Sequence, residues 1–152
     1  MSRKLARVLE KIEHAGATPA LRKIRRGVEK ESLRVDVNGT LSQLPHPPGL
    51  GSPLTHPSIT TDYSEALLEF ITPVEGSVAG VLDQLEKTHR FAYQYLHQER
   101  LWVTSMPCIV HGDNSIPIAR YGSSNIGQMK HFYRVGLGLR YGRVMQAIAG
   151  IH

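Results

Sequence analysis

Val28-Glu29-Lys30-Glu31-Ser32-Leu33-Arg34-Val35-Asp36-Val37, followed at once by Asn38-Gly39, decides the fold. Residues of this run alternate with period 2, and Asn-Gly is the strongest short hairpin signal. The reading is a strand, a type I′-like turn at Asn38-Gly39 and a return strand near Thr40-Leu41-Ser42. Glu29, Glu31, Leu33, Val35 and Val37 then share one face of the strand, because side chains alternate. Two carboxylates spaced in this way lie ~6.5–7 Å apart. They stand beside apolar residues that should point inward, where a charge is costly unless it is paired or bound to a cation. The plainer alternative is a frayed strand start, with both glutamates meeting water or arginine.

Working outward, Ser2 caps a first helix whose Leu5, Val8, Leu9 and Ile12 fall on one face, and His14-Ala15-Gly16 ends it. Pro45, Pro47, Pro48, Gly49, Gly51, Pro53 and Pro57 make residues 44–58 a loop. Leu67-Leu68-Glu69-Phe70-Ile71-Thr72 reads as a second strand, stopped by Pro73. Ser77 opens a long helix with Val78, Val81, Leu82, Leu85, His89, Ala92 and Leu96 on its core face. Tyr121 to Gly127 is a Gly- and Ser-rich turn before a helix over about Gln128–Gly138. Met145 to His152 alternates again and reads as a last strand, placing Gln146, Ile148, Gly150 and His152 on one face. Interleaved strands and helices with a hairpin argue for α+β with a mainly antiparallel sheet. A chain that stops in mid-strand is expected to be truncated.

Charge is unevenly distributed. The chain has 152 residues and a net charge of +5, yet residues 35–80 hold five carboxylates and no Lys or Arg. Both flanks are basic. Asp62, Glu65 and Glu69 fall in this cation-free block, and Glu69 sits inside a strand between Leu68 and Phe70. Hard divalent cations prefer oxygen ligands, and carboxylates holding Mg²⁺ are a common platform for nucleotide phosphates. An ion pair between Glu69 and a distant arginine is the competing explanation.

Other classes are excluded or weak. The longest uninterrupted aliphatic stretch is about Ala66-Leu67-Leu68, far from the ~20 apolar residues of a membrane span. The N-terminus lacks the apolar core of a secretory signal. The lone Cys108 excludes an internal disulfide framework and a multi-cysteine zinc site, fits a cytoplasmic setting, and reads as a small buried hydrophobe. Tyr121-Gly122-Ser123-Ser124-Asn125-Ile126-Gly127 resembles a phosphate-cradling turn, although turn chemistry alone explains it at least as well. Phe132, Tyr133 and Tyr141 read as helix-face packing. No nucleic-acid motif is present, which leaves a basic binding module as the alternative class.

Gly27-Val28-Glu29-Lys30-Glu31-Ser32-Leu33-Arg34, the run TTDYSEALLEFITP at 60–73, Ser105-Met106-Pro107-Cys108, YGSSN at 121–125, YRVGLGLRYG at 133–142 and the closing Met145–His152 together resemble bacterial glutamate–cysteine ligase. The resemblance implies a glutamine-synthetase-like fold, a curved and mainly antiparallel sheet with flanking helices. Residues 1–152 would form the N-terminal part of a single catalytic domain. It further implies ATP-dependent joining of the γ-carboxylate of L-glutamate to the amine of L-cysteine through γ-glutamyl phosphate, the first step of glutathione synthesis. ATP is the co-substrate, and Mg²⁺, or Mn²⁺ in its place, is the metal. Family metal ligands map onto Glu29, Glu31, Asp62, Glu69 and His152. The cysteine pocket maps onto Tyr63, Tyr133, Leu137, Gln146 and Ile148, and Arg134 is assigned to orienting phosphate or glutamate. Tyr63 stands where an equivalent aromatic can be Phe. Members of the family are much longer, so this chain is expected to need the remainder of its own polypeptide and to lack ligase activity alone. A short non-catalytic paralogue is the further alternative.

Overall fold

The computed structural model describes residues 2–152. Its order is α1 (Arg3–His14), β1 (Glu29–Val35), β2 (Ile59–Thr61), β3 (Leu67–Ile71), α2 (Val78–Tyr93), β4 (Arg100–Leu101) and α3 (Asn125–Tyr141), with short 3-10 turns between them. The strands form one antiparallel sheet in the order β2-β3-β1-β4. The α+β expectation holds, with an open sheet and helices beside it.

The opening hairpin forms, but its turn differs from expectation. Type I′ needs positive φ at both central residues; here Gly39, at φ 79°, is the only positive-φ residue between Val35 and Thr40. Asp36 starts the turn one residue earlier than Asn-Gly suggests. Its Oδ1 accepts the amides of Asn38 and Thr40, and its carbonyl accepts that of Gly39. The result is a three-residue loop with a left-handed glycine, and the return arm is a bridge at Leu41 rather than a full strand. Sequence reading missed β2, a three-residue strand following the proline-rich loop. His56 Nδ1 accepts the amides of Ser58 and Ile59 at its start, and antiparallel pairing with β3 does the rest.

Both faces of the sheet are covered along part of their length. On one, Leu33, Val35, Tyr63, Ala66, Leu67, Cys108, Ile116, Ala147 and Ala149 form a core, so Cys108 is the buried hydrophobe expected. On the other, Ile59, Leu68, Phe70 and Leu101 pack with Leu50 and with Ala92 and Leu96 from α2 and its exit. α2 is capped by Ser77, whose Oγ accepts the Gly80 amide, and His89 stacks on Phe70 with ring centroids 4.3 Å apart. Val78 and Leu82, expected in the core face, are exposed, whereas Val81 between them is buried, so the inward stripe of α2 is narrower than expected.

Two surfaces contradict the packing expected of them. α1 is capped by Ser2 as anticipated, yet none of its residues is buried, and Leu5, Val8 and Leu9 face solvent. On α3, Phe132, Tyr133 and Tyr141 are each more than half exposed, and the helix meets the rest of the molecule through Leu137, packed against the first core, and Arg134, bonded to the Asp62 carbonyl. The last segment is also corrected. Val144–Ala147 is a 3-10 turn, with Asp113 accepting the amides of Arg143 and Val144 at its start. Extended pairing is confined to 150–152, where Ile151 bridges Lys30 of β1.

Candidate functional site

The register of β1 against β3 builds the site. Leu33 pairs with Leu67, Glu31 with Glu69 and Glu29 with Ile71, so the face that is core at one end of the strands carries carboxylates at the other. Thr60 of β2 pairs with Glu69, and Asp62 follows directly on the loop from β2 to β3. His152 arrives by its backbone: its amide donates to the Glu29 carbonyl and its carbonyl accepts the Glu29 amide. Its Nε2 stands 3.8 Å from Glu31 Oε1, while Glu31 Oε2 accepts the Gly150 amide at 2.7 Å. The five residues mapped to a metal therefore gather at one end of one sheet face.

Electrostatics sharpen the picture. Burial raises the Glu31 carboxyl above its ordinary range; the Gly150 hydrogen bond opposes this, and the neighbouring Asp62 and Glu29 add to it. Glu69 is raised by burial first, then by Asp62, Glu29 and Glu31. Among the described residues, no lysine or arginine forms an ion pair with Glu29, Glu31, Asp62 or Glu69. The arginine-pairing explanation for Glu69 fails on this point. The one fully buried arginine, Arg34, lies on the opposite face of β1, where Nη1 binds both carboxylate oxygens of Glu99 at 2.8 Å.

An uncompensated set of oxygen donors suits a hard divalent cation in charge and donor type. The side chains are neighbours rather than a finished cage, since no three His, Cys, Asp or Glu groups among the described residues converge closely enough to hold an ion. The gap between β1, residues 102–105 and 149–151 beside Glu31 has a volume of only about 30 Å³.

The residues mapped to a cysteine pocket are less tightly gathered. Tyr63 is buried in the core with Leu137 packed against the same cluster. Its hydroxyl has no hydrogen-bond partner and rests against α3 at Gly138, where a β-carbon would collide with it. Tyr133 is 65% exposed and Ile148 41%, while Gln146 is half-buried in the 3-10 turn, so the single strand face expected for Gln146, Ile148, Gly150 and His152 does not form. Arg134 turns toward the site but spends its donors on the backbone, Nε on the Asp62 carbonyl and Nη1 on that of Lys130. The YGSSN segment caps α3 through Ser124 and sends the Tyr121 hydroxyl to the Thr61 and Asp62 carbonyls. Sequence reading took Glu65 only as one of the acidic block. It is a brace: its carboxylate accepts the amides of His46 and Arg120, behind the Asp62 loop.

Known proteins are similar to this chain in sequence and fold. Residues 9–152 match the family model described as glutamate-cysteine ligase. Glutamate–cysteine ligase of Alcanivorax borkumensis is 59% identical over 139 residues, 91% of this chain and 26% of the relative. That of Pseudomonas aeruginosa is 58% identical over all 152 residues, which is 29% of its length. The crystal structure of the Francisella tularensis glutamate–cysteine ligase in complex with AMP superposes with a TM-score of 0.80 at 46% identity, over 84% of this chain and 26% of that one. A bifunctional glutathione synthetase from Pasteurella multocida gives the same TM-score at 30% identity, over 92% of this chain and 18% of its own. The fold is thus of the glutamine-synthetase-like α+β type found in ATP-dependent ligases. Within it, the chain belongs to the glutamate–cysteine ligase family, and it spans between a quarter and a third of the length of the ligases it matches.

Proposed function

We propose that this chain supplies the carboxylate-bearing part of a glutamate–cysteine ligase, joining the γ-carboxylate of L-glutamate to the amine of L-cysteine at the expense of ATP, the first step of glutathione synthesis. The observation that carries the reading is the pairing of Glu31 with Glu69, with no lysine or arginine among the described residues paired to either, in a chain of this family. Glu29, Glu31, Asp62, Glu69 and His152 would hold Mg²⁺ or Mn²⁺, which when bound stabilises charge on the phosphate oxygens of ATP. Nucleotide binding is supported by the AMP complex of the Francisella relative.

In this reading Glu31 is aimed by the Gly150 amide and Asp62 by its backbone contacts. The γ-phosphoryl of ATP passes to the glutamate γ-carboxylate with release of ADP, and the neutral amine of cysteine then displaces phosphate. Positioning and charge stabilisation suffice, so no side chain of the enzyme need act as nucleophile. Tyr63 and Leu137 form the inner wall of the cysteine pocket, Tyr133, Gln146 and Ile148 its outer residues, and Arg134 its link to Asp62.

Residues 1–152 are part of one catalytic domain, and the partner of the exposed apolar residues on α1 and α3 is the remainder of the polypeptide. No helix among the described residues is long and apolar enough to cross a membrane, and a cytoplasmic location is the setting proposed. Replacing the corresponding segment of the Pseudomonas aeruginosa ligase by this chain tests the function. The chimera is expected to form γ-glutamylcysteine in a reaction that needs ATP, a divalent cation and both amino acids. A folded chimera that releases ADP without cysteine-dependent product would overturn the proposal.

A further inference from the structure

The carboxylate of Asp62 has no hydrogen-bond partner among the described residues, whereas that of Glu31 is held by the Gly150 amide. Asp62 can therefore be aimed only through its backbone, and the backbone around it is gripped. Its amide donates to the Leu67 carbonyl, closing the loop between β2 and β3. Its carbonyl receives Arg134 Nε and, at 2.9 Å, the Tyr121 hydroxyl, which also reaches the Thr61 carbonyl at 2.6 Å. The single phenolic proton is shared between two successive carbonyls, so it fixes the orientation of the peptide plane that joins Thr61 to Asp62.

Tyr121 is itself held in place. It is buried, and its ring lies under two cations, with Lys130 Nζ 5.1 Å and Arg134 Cζ 4.8 Å from its centroid. The neighbouring residues of its segment pair with the same loop: the Ala119 amide donates to the Tyr63 carbonyl, the Glu65 amide donates to that of Pro117, and Glu65 Oε2 accepts the Arg120 amide. We propose that Tyr121 is a positioning residue of the candidate metal site, its hydroxyl setting the direction in which Asp62 presents its carboxylate. The inference rests on the metal reading above. Groups that orient a ligand without touching the metal change affinity by about 10–100-fold when lost.

The test uses the full-length chimera and Mn²⁺ as probe, with free Mn²⁺ measured by electron paramagnetic resonance in the absence of ATP. Tyr121→Phe keeps the ring and its two cations and removes only the hydroxyl. It is expected to weaken Mn²⁺ binding about tenfold and to raise the Mg²⁺ concentration needed for half-maximal turnover by a similar factor, with KM for cysteine unchanged. Placing p-aminophenylalanine at position 121 restores a donor and should recover most of the affinity. Tyr93→Phe, which removes a hydroxyl accepting the Leu101 amide far from the carboxylates, should leave Mn²⁺ binding intact. Should Tyr121→Phe not fold, Arg134→Met removes the other donor to the same carbonyl and should weaken Mn²⁺ binding in the same direction, and unchanged binding there would overturn positioning through that carbonyl. Asp62→Asn separates the two readings. If it weakens Mn²⁺ binding and a folded Tyr121→Phe does not, the positioning role is overturned. If neither variant changes Mn²⁺ binding, the metal assignment itself falls.

Discussion

Glu31 and Glu69 stand directly opposite each other across β1 and β3. Like charges opposed in this way cost about 0.2–1 kcal/mol, and solvent screening of these partly exposed groups keeps the figure toward the low end. A sheet built for stability alone would not place them so. Glu69→Gln keeps the shape and removes one charge. The metal-free 152-residue chain is expected to become more stable by a few tenths of a kcal/mol, up to about 1 kcal/mol. In the chimera the same change should lower turnover by about a hundredfold or more, the scale of losing a principal electrostatic contact. Urea denaturation and a steady-state assay read the two effects. Unimpaired Mg²⁺-dependent turnover would remove Glu69 from the metal set.

A pH profile of stability follows from the same carboxylates. Glu31 and Glu69 are raised, first by burial and then by Asp62 and Glu29, with Glu31 adding to the rise at Glu69, so the folded chain holds these protons more tightly than the unfolded one. Stability of the metal-free chain therefore falls as pH rises from 4.5, their ordinary value, through the raised folded values, and stays reduced above them. His46 and His89 are lowered, chiefly by burial, and act with the opposite sign, stability being lost as pH falls below 6.5. Urea midpoints between about pH 4 and pH 8 should show both limbs. Changing Glu31 and Glu69 together to Gln should abolish the carboxylate limb and leave the histidine limb. Parallel profiles for the two proteins would contradict the assignment.

Which parts of this fold were legible follows from how local their signals are. The caps at Ser2 and Ser77 and the placing of Glu69 inside a strand are set within a few residues, and all hold in the structure. The hairpin was legible but not its turn, because Asp36 competes with Asn38-Gly39 for the same amides. Val144–Ala147 imitates a strand by alternation and is turned into a 3-10 segment by Asp113, some thirty residues away. For the site, the suspicious carboxylates could be read from charge and strand period. The contacts that aim them could not: Tyr121, Glu65 and the Gly150 amide act across 59, 19 and 119 residues. No local pattern marks them.

On the far side of β1, Arg34 ties the sheet to its loops. Its guanidinium is fully buried, binds Glu99 through Nη1, and donates from Nη2 to the carbonyls of Leu44, Pro45 and Glu65. Removing one partner of such a pair leaves a buried charge without compensation, at a cost of about 3–5 kcal/mol. Glu99→Ala should lower stability by that amount, while Glu99→Gln, which keeps an acceptor and the shape, should cost clearly less. Equilibrium urea unfolding measures both. Equal losses would mean that packing, rather than the charge, is what Glu99 contributes.

Tyr63 offers the reverse case, a polar group whose removal should help. Its hydroxyl is buried against Gly138 of α3 with no hydrogen-bond partner, and burial raises its ionisation above the ordinary phenolic value. An unpaired buried hydroxyl costs about 1–3 kcal/mol, and Tyr63→Phe deletes it without disturbing the ring. The variant is expected to gain about 1 kcal/mol in urea denaturation. If Tyr63 serves the cysteine pocket by its ring alone, KM for cysteine in the chimera should stay within about twofold of its starting value, well below the tenfold that 1.4 kcal/mol would bring. A loss of stability would show that the hydroxyl has a partner in solution. A rise in KM with stability gained would instead assign the hydroxyl to the substrate, reached by a movement of α3 at Gly138.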